Sequence, residues 1–96
     1  MQIFIKDEAA AWFKEELLQK EEESIQFFVR YGGCGDFQSG FSLGVTVNTP
    51  EDPAAVTEKN GITYFIEEKD AWYFDEKDLT VVYDREKAEI AYEHSL

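Results

Sequence analysis

The segment from Tyr31 to Phe41 constrains the fold more than any other part of the chain. It contains four of the six glycines and the only cysteine, Cys34, and strand-like stretches lie on both sides of it. Several glycines around one residue favour a tightly bent backbone, because glycine adopts left-handed conformations at little steric cost. The sequence therefore predicts a β-hairpin that presents Cys34 in its bend. A second interpretation stays open, in which the cysteine is a bystander in an ordinary turn.

Apolar alternation predicts the two strands of this hairpin, from Ile25 to Tyr31 and from Phe41 to Val47. In the second strand, small residues at positions 42, 44 and 46 make one face thin, so a helix or a second chain could pack closely there. We expect Tyr31, Phe37 and Phe41 to anchor the bend.

The N-terminal part predicts a short strand from Gln2 to Ile5, followed by a helix from Glu8 to about Lys20. Its apolar residues recur at helical spacing, and Asp7 is the candidate N-cap. Trp12, Trp72 and the phenylalanines are predicted to lie in the core.

The C-terminal half contains a strong hairpin signal, Asn60-Gly61, between two β-type runs. Residues 48–53 are predicted to be the least ordered. The remaining predictions are a turn with a short helix at 67–73, a strand at 78–84, and either a strand or a helical tail at 85–96.

With 96 residues, the chain is predicted to form a single domain, residues 1–96. One early helix and about six short strands with short connections indicate an α+β fold. We expect small mixed, mainly antiparallel β-sheets with the N-terminal helix packed against them.

The formal net charge of −12 argues against binding nucleic acid or anionic membranes, since both require a basic surface. It favours solubility and, less strongly, steering towards basic or metal-bearing partners. One cysteine cannot form an internal disulfide, and no stretch resembles a signal peptide or a membrane span. A cytoplasmic location is therefore expected.

Thiol catalysis would require a base for Cys34, and the only histidine is His94, which nothing in the sequence places beside it. Metal binding suits the thiol better, since thiolates bind iron–sulfur clusters, zinc or copper(I). One cysteine supplies one ligand and a symmetric dimer two, so Asp36, His94 or an outside thiol would have to supply the rest.

The order of motifs resembles the HesB-like, A-type iron–sulfur cluster assembly family over nearly the whole chain. The resemblance is carried by the strand–Gly-Gly-Cys-Gly-Asp-Phe–strand block, by Ile3-Phe4-Ile5-Lys6-Asp7-Glu8 at the start, and by the segments 60–66 and 78–83. The short acidic chain is most similar to a Bacillus-type branch of that family.

The resemblance implies a non-enzymatic protein that binds iron or an iron–sulfur cluster, with protein partners in iron–sulfur metabolism and a possible homodimer. Cys34 matches the first of three family cysteines, but the C-terminal Cys-Gly-Cys is absent. The expected function is weak or partner-dependent cluster binding through Cys34, with Asp36 and His94 as further candidate ligands. The alternative is an acidic protein-binding module that kept the fold and lost the cluster.

Overall fold

The computed structural model describes residues 1–18, 23–34 and 39–95 of the chain. Within these ranges the elements in chain order are β1 (Ile3–Ile5), α1 (Asp7–Glu16), β2 (Ser24–Cys34), β3 (Ser39–Val47), β4 (Pro53–Lys59), β5 (Ile62–Glu67), a 3₁₀ helix (Glu68–Phe74), β6 (Asp78–Asp84) and β7 (Glu89–Ser95). The predicted α+β class is confirmed, and the undecided C-terminal segment forms a strand.

The strands form two sheets. In the four-stranded sheet the order is β3-β2-β5-β4, and in the three-stranded sheet it is β1-β6-β7. The pairs β2–β5 and β1–β6 are parallel, while β2–β3, β4–β5 and β6–β7 are antiparallel. The sheets are therefore mixed and mainly antiparallel, as predicted.

The core lies where α1 and the two sheets meet. Phe13 of α1, Phe27 of β2 and Tyr64 of β5 are fully buried and contact one another with ring centroids 5.5 to 6.1 Å apart. Leu79 and Val81 of β6 are buried in the same cluster. Burying such aromatic side chains supplies much of the stability of a small domain.

Helix α1 begins one residue earlier than predicted, and the prediction of Asp7 as N-cap is wrong. Lys6 occupies the cap position without a side-chain hydrogen bond, and Asp7 is the first helical residue. The Asp7 carboxylate instead pairs with Lys59 Nζ at 2.7 Å, and this hydrogen bond lowers its pKa. The helix ends at Glu16 rather than near Lys20, which lies outside the described residues.

The second predicted hairpin is confirmed in detail. Asn60 and Gly61 connect β4 to β5 with φ values of 54° and 81°. Both residues are in the left-handed region, as a two-residue turn between twisted antiparallel strands requires.

Residues 48–53 are held by Glu67 at the end of β5 rather than poorly ordered as predicted. The buried Glu67 carboxylate accepts hydrogen bonds from the backbone N–H of Glu51 at 2.8 Å and of Asp52 at 2.6 Å. The Glu68 N–H in turn donates to the Asp52 carbonyl at 2.8 Å. This connection is therefore fixed against the start of the 3₁₀ helix.

The thin face of β3 is covered by side chains of the neighbouring strand. A Cβ added at Gly44 would overlap the Phe28 ring and lie 2.7 Å from Arg30 Cδ. The glycine therefore makes room for β2 side chains, where we had expected a helix or a second chain. In the described part of the chain, no helix is long and apolar enough to span a bilayer.

Candidate functional site

The predicted Gly-Cys hairpin exists, and Cys34 is the last residue of β2. The β2–β3 ladder runs from the pair Ile25–Val47 to the pair Cys34–Ser39. Cys34 thus lies at the end of the strand, and the connection to β3 consists of residues 35–38. This connection, which contains Asp36 and Phe37, lies outside the described residues.

A β-bulge precedes Cys34. Between the pairs Tyr31–Phe41 and Cys34–Ser39, β2 advances by one residue more than β3. Gly32 lies within the bulge at φ +100°, a backbone conformation that strains any residue with a side chain. The glycine spacing noted in the sequence therefore serves to change the pairing register just before the cysteine.

The distal half of β2 pairs with only one neighbouring strand, β3. Strand β5 pairs with β2 only from Ser24 to Gln26, and the chain then leaves the sheet as the 3₁₀ helix. The Asp70 carboxylate of this helix accepts a hydrogen bond from the Val29 N–H, in the place where a strand would have continued. Asp70 is buried, and burial raises the pKa of its carboxyl group.

A groove of about 290 Å³ lies beside Asp70. One carboxylate oxygen, Asp70 Oδ2, is buried and has no hydrogen-bond partner among the described residues. The Gln26 amide oxygen accepts a hydrogen bond from Asn48 Nδ2 at 3.0 Å. The lining residues are Gln26, Phe28, Val29, Thr46, Lys69 and Asp70. These groups suit hydrogen bonding.

An aromatic row crosses the surface next to the hairpin end. The Tyr31 ring contacts the Phe41 ring with centroids 5.7 Å apart, and the Phe41 ring contacts Trp72 at 5.1 Å. Tyr31 is 94% exposed and Trp72 is 49% exposed. The prediction of a core position is therefore wrong for Trp72, as it is for Phe4, which is 46% exposed. Tyr31 extends into solvent beyond the bend that we expected it to anchor.

The exposed row rests on a buried residue of the 3₁₀ helix. Tyr73 contacts the Trp72 ring at 5.9 Å and donates a hydrogen bond from its hydroxyl to the Phe41 carbonyl at 3.3 Å. We call Tyr31, Phe41 and Trp72 the aromatic row. Nothing in the residue types alone distinguished these three rings from the buried ones, because exposure depends on how the helix meets the hairpin.

The three candidate ligands are placed only in part. Cys34 pairs with Ser39 in the four-stranded sheet, and His94 pairs with Leu79 in the three-stranded sheet. The side chains of Cys34 and His94 lie outside the described part, as does the whole of Asp36. Among the residues whose side chains are described, no group of three or more His, Cys, Asp and Glu could hold a metal ion.

The donor set of one chain does not fit an iron–sulfur cluster. Such clusters usually require four thiolate ligands, and this chain has a single cysteine. The C-terminal segment that could have supplied more thiols is strand β7, which pairs along its length with β6 and contains no cysteine. A cluster bound here would need ligands from outside the chain.

The mixed sheets, the packed helix α1 and the glycine-flanked cysteine at a hairpin end define a small domain of the iron–sulfur assembly type. The chain belongs to the iron-sulphur cluster biosynthesis family, whose model matches residues 1–93. The resemblance seen in the sequence is thereby confirmed.

Individual relatives are similar over nearly their whole length. A Bacillus subtilis protein named pyruvate dehydrogenase inhibitor is 46% identical over 94 residues, which cover 98% of this chain and 99% of that protein. An uncharacterised protein of Staphylococcus saprophyticus is 40% identical over 84 residues, covering 84% and 86%. A Staphylococcus aureus protein is 39% identical over 95 residues, covering 96% and 97%.

Proposed function

We propose that this chain is a non-enzymatic regulatory protein that binds pyruvate dehydrogenase and inhibits it. The observation that carries this proposal is the 46% identity, over 98% of the chain, with the relative named pyruvate dehydrogenase inhibitor. Inhibition by binding requires a surface rather than a catalytic group, and the same fold often serves unrelated functions through its surface.

The surface next to the hairpin end supports such a role. Exposed aromatic side chains are enriched in protein interfaces, where they supply large contact areas. The aromatic row combines the largely exposed Tyr31 with the half-exposed Trp72 on either side of Phe41. The net charge of −12 would speed association with a basic surface of the enzyme.

The first experiment measures the activity of purified Bacillus subtilis pyruvate dehydrogenase with increasing amounts of this protein. We expect saturable inhibition that weakens as salt is raised, since salt screens the charge contribution. An enzyme that keeps full activity in the presence of a large molar excess of the protein, at low salt, would contradict the proposal.

A pair of variants locates the inhibitory surface. Tyr31→Ala and Trp72→Ala each remove a ring from the aromatic row and should weaken inhibition about tenfold or more, the usual effect of truncating an interface anchor. Phe4→Ala is the matched control, because Phe4 is 46% exposed on β1 in the other sheet. Equal effects of all three substitutions would argue against this surface.

A second candidate function is binding of iron or an iron–sulfur cluster as cargo, through Cys34 and ligands from a partner. The family match and the position of Cys34 at the end of β2 favour it. A homodimer would supply two thiolates, and Asp36, His94 or a partner protein of iron–sulfur metabolism would complete the set. Both functions suit the cytoplasm, where a lone thiol stays reduced.

Anaerobic reconstitution with iron and sulfide tests this second function. Cluster binding should produce visible charge-transfer absorption that Cys34→Ser abolishes and that His94→Ala reduces if the histidine is a ligand. A colourless protein, or identical spectra of the wild type and Cys34→Ser, would exclude Cys34 as a ligand. The Cys34→Ser variant separates the two functions, because it should still inhibit pyruvate dehydrogenase when it no longer binds a cluster.

A further inference from the structure

Strand β3 differs from the other edge strands of the two sheets. The strand orders place β1, β7, β3 and β4 at sheet edges. Exposed edges are normally protected from pairing by short length, proline or charge. Strand β1 has three residues, β4 begins with Pro53 and ends with Glu58 and Lys59, and β7 carries Glu89 and Glu93.

Strand β3 has none of these protections. It runs for nine residues, Ser39–Val47, without a charged residue or a proline. Charged residues make up 31% of the whole chain, so this uncharged edge stands out against the rest of the surface. An edge of this kind is a template for pairing with another strand.

The hydrogen-bond pattern shows which backbone groups face the edge. The Asn48 N–H donates to the Ser24 carbonyl at 3.1 Å, and these two residues continue the register of the β2–β3 ladder. The even-numbered residues that lie opposite each other on β2 and β3 are therefore the hydrogen-bonded pairs. In an antiparallel ladder the alternate residues direct their N–H and C=O groups away from the partner strand. On β3 these residues are Phe41, Leu43, Val45 and Val47.

Two contacts agree with this assignment. On β2 the same alternation directs the Val29 N–H away from β3, and there it donates to the Asp70 carboxylate. On β3 it directs the Phe41 carbonyl outward, where it accepts from the Tyr73 hydroxyl at 3.3 Å. Tyr73 therefore closes one end of the edge, and the accessible part begins at Leu43.

Within residues 1–18, 23–34 and 39–95, no backbone group of another segment bonds to the outward groups of Leu43, Val45 or Val47. These groups resemble the open edges to which extended peptides bind by strand addition, with main-chain hydrogen bonds supplying affinity.

The charge of the whole chain indicates which occupant this edge fits. Strand β3 itself has no charged residue, and the net charge of the chain is −12. A second copy would bring another net charge of −12, whereas a basic segment would be attracted.

We propose that the edge of β3 from Leu43 to Val47 binds an extended segment of a partner protein by strand addition, and that this segment alternates apolar residues with Lys or Arg. The inference rests on the proposed function, because it takes the occupant to be a segment of a partner protein. It places the binding surface along the sheet edge that continues from the aromatic row.

Amide hydrogen exchange of the full chain tests the edge directly. In the free protein the amides of Leu43 and Val45 should exchange much faster than those of Gly44 and Thr46, which face β2. The probe is a short synthetic peptide in which valine alternates with lysine, and its twin has glutamate in place of lysine. The lysine peptide should slow exchange at Leu43 and Val45, and the glutamate peptide should not.

A proline substitution tests the backbone contact. The N–H that Val45→Pro removes faces outward, so the substitution deletes no ladder hydrogen bond and suits an edge position. Val45→Thr is the matched control, because it changes the side chain and keeps the N–H. We expect Val45→Pro to bind the lysine peptide about tenfold more weakly than Val45→Thr. Slow exchange of Gly44 and Thr46 in Val45→Pro would show that the sheet remains folded.

The outcomes separate the alternatives. Equal binding by the two variants, or slow exchange of Leu43 and Val45 in the free monomer, would overturn strand addition. Equal binding of the two peptides would overturn the preference for basic segments. A dimer in sedimentation velocity that Val45→Pro dissociates would assign the edge to a second copy. Pyruvate dehydrogenase takes no part in these measurements, so they remain decisive even if the wild-type protein fails to inhibit that enzyme.

Discussion

The two halves of β2 belong to one strand and have opposite environments. From Ser24 to Gln26 the strand lies between β3 and β5, and Ile25 is fully buried. At Val29 the outward N–H donates to Asp70 instead of to β5. Beyond Val29 the strand pairs with β3 alone, and Tyr31 is 94% exposed. The comparison shows that the part of β2 with two neighbouring strands lies in the core, while the part that pairs with β3 alone becomes exposed at Tyr31.

Phe27 marks the buried side of this division. It is fully buried, and its ring contacts Phe13 of α1 at 5.9 Å, Tyr64 of β5 at 6.1 Å and Tyr92 of β7 at 6.0 Å. One side chain thus joins the helix and both sheets. Two positions further along the same face, Val29 is only partly buried, and the packing ends before Tyr31.

The largest expected effect is the loss of stability in Phe27→Ala. Removing a buried phenylalanine leaves a cavity that costs about 3–5 kcal/mol in the free energy of unfolding. Tyr31→Ala is the matched substitution in the exposed half and should change this free energy by less than about 0.5 kcal/mol. Urea unfolding followed by circular dichroism measures both. Similar losses in the two variants would contradict the division of β2.

The architecture could be predicted because its signals are local. The Asn60-Gly61 turn, the alternating runs around the glycine segment and the strand at 78–84 each depend on neighbouring residues, and all three are confirmed. The glycine segment also indicated a hairpin with Cys34 in its bend. The hairpin exists, but β2 continues past the predicted end at Tyr31, and Cys34 is its last paired residue.

The features of the site that depend on distant contacts could not be predicted. Asp70 and Glu67 are buried and bind backbone N–H groups, yet nothing distinguished them among 21 acidic residues. The exposure of Tyr31 and Trp72 follows from where the 3₁₀ helix crosses the hairpin. The open edge of β3 depends on the strand order, which the sequence pattern does not specify.

The second prediction concerns Asp70, where the two halves of β2 meet. Asp70→Ala leaves the Val29 N–H without its acceptor and should cost about 1–3 kcal/mol. Asp70→Asn keeps an acceptor oxygen and should cost clearly less. Equilibrium unfolding of both variants at neutral pH tests this order. If the two variants proved equally unstable, the Val29 hydrogen bond would not be the reason for the loss.

The pH dependence sharpens the test. Burial raises the pKa of the Asp70 carboxyl group above its ordinary value of 3.8. A group with a raised pKa favours the folded state below the unfolded pKa, and this contribution is lost as pH rises through the folded pKa. The stability of the wild type relative to Asp70→Asn should therefore fall as pH rises above about 4. A difference that stays constant from acid to neutral pH would contradict this account.

The smallest expected effect is a gain in stability at Tyr64, which pairs with Ile25 in the complete half of the sheet. Its hydroxyl is buried and has no hydrogen-bond partner among the described residues, and burial raises its pKa to about 12. Tyr64→Phe removes an unsatisfied polar group and should stabilise the protein by about 1 kcal/mol at neutral pH.

Tyr92→Phe is the control, because burial likewise raises the pKa of Tyr92 to about 12 but its hydroxyl is not among the buried unpaired groups. Because each pKa is raised, each tyrosine contributes to the free energy of unfolding below about pH 10, and this contribution is lost as the pH rises towards 12. Each phenylalanine variant should therefore lose less stability than the wild type over that interval. Destabilisation by Tyr64→Phe at neutral pH would show that the hydroxyl is hydrogen-bonded, for example to a buried water, and that the core beside β2 is more polar than its rings indicate.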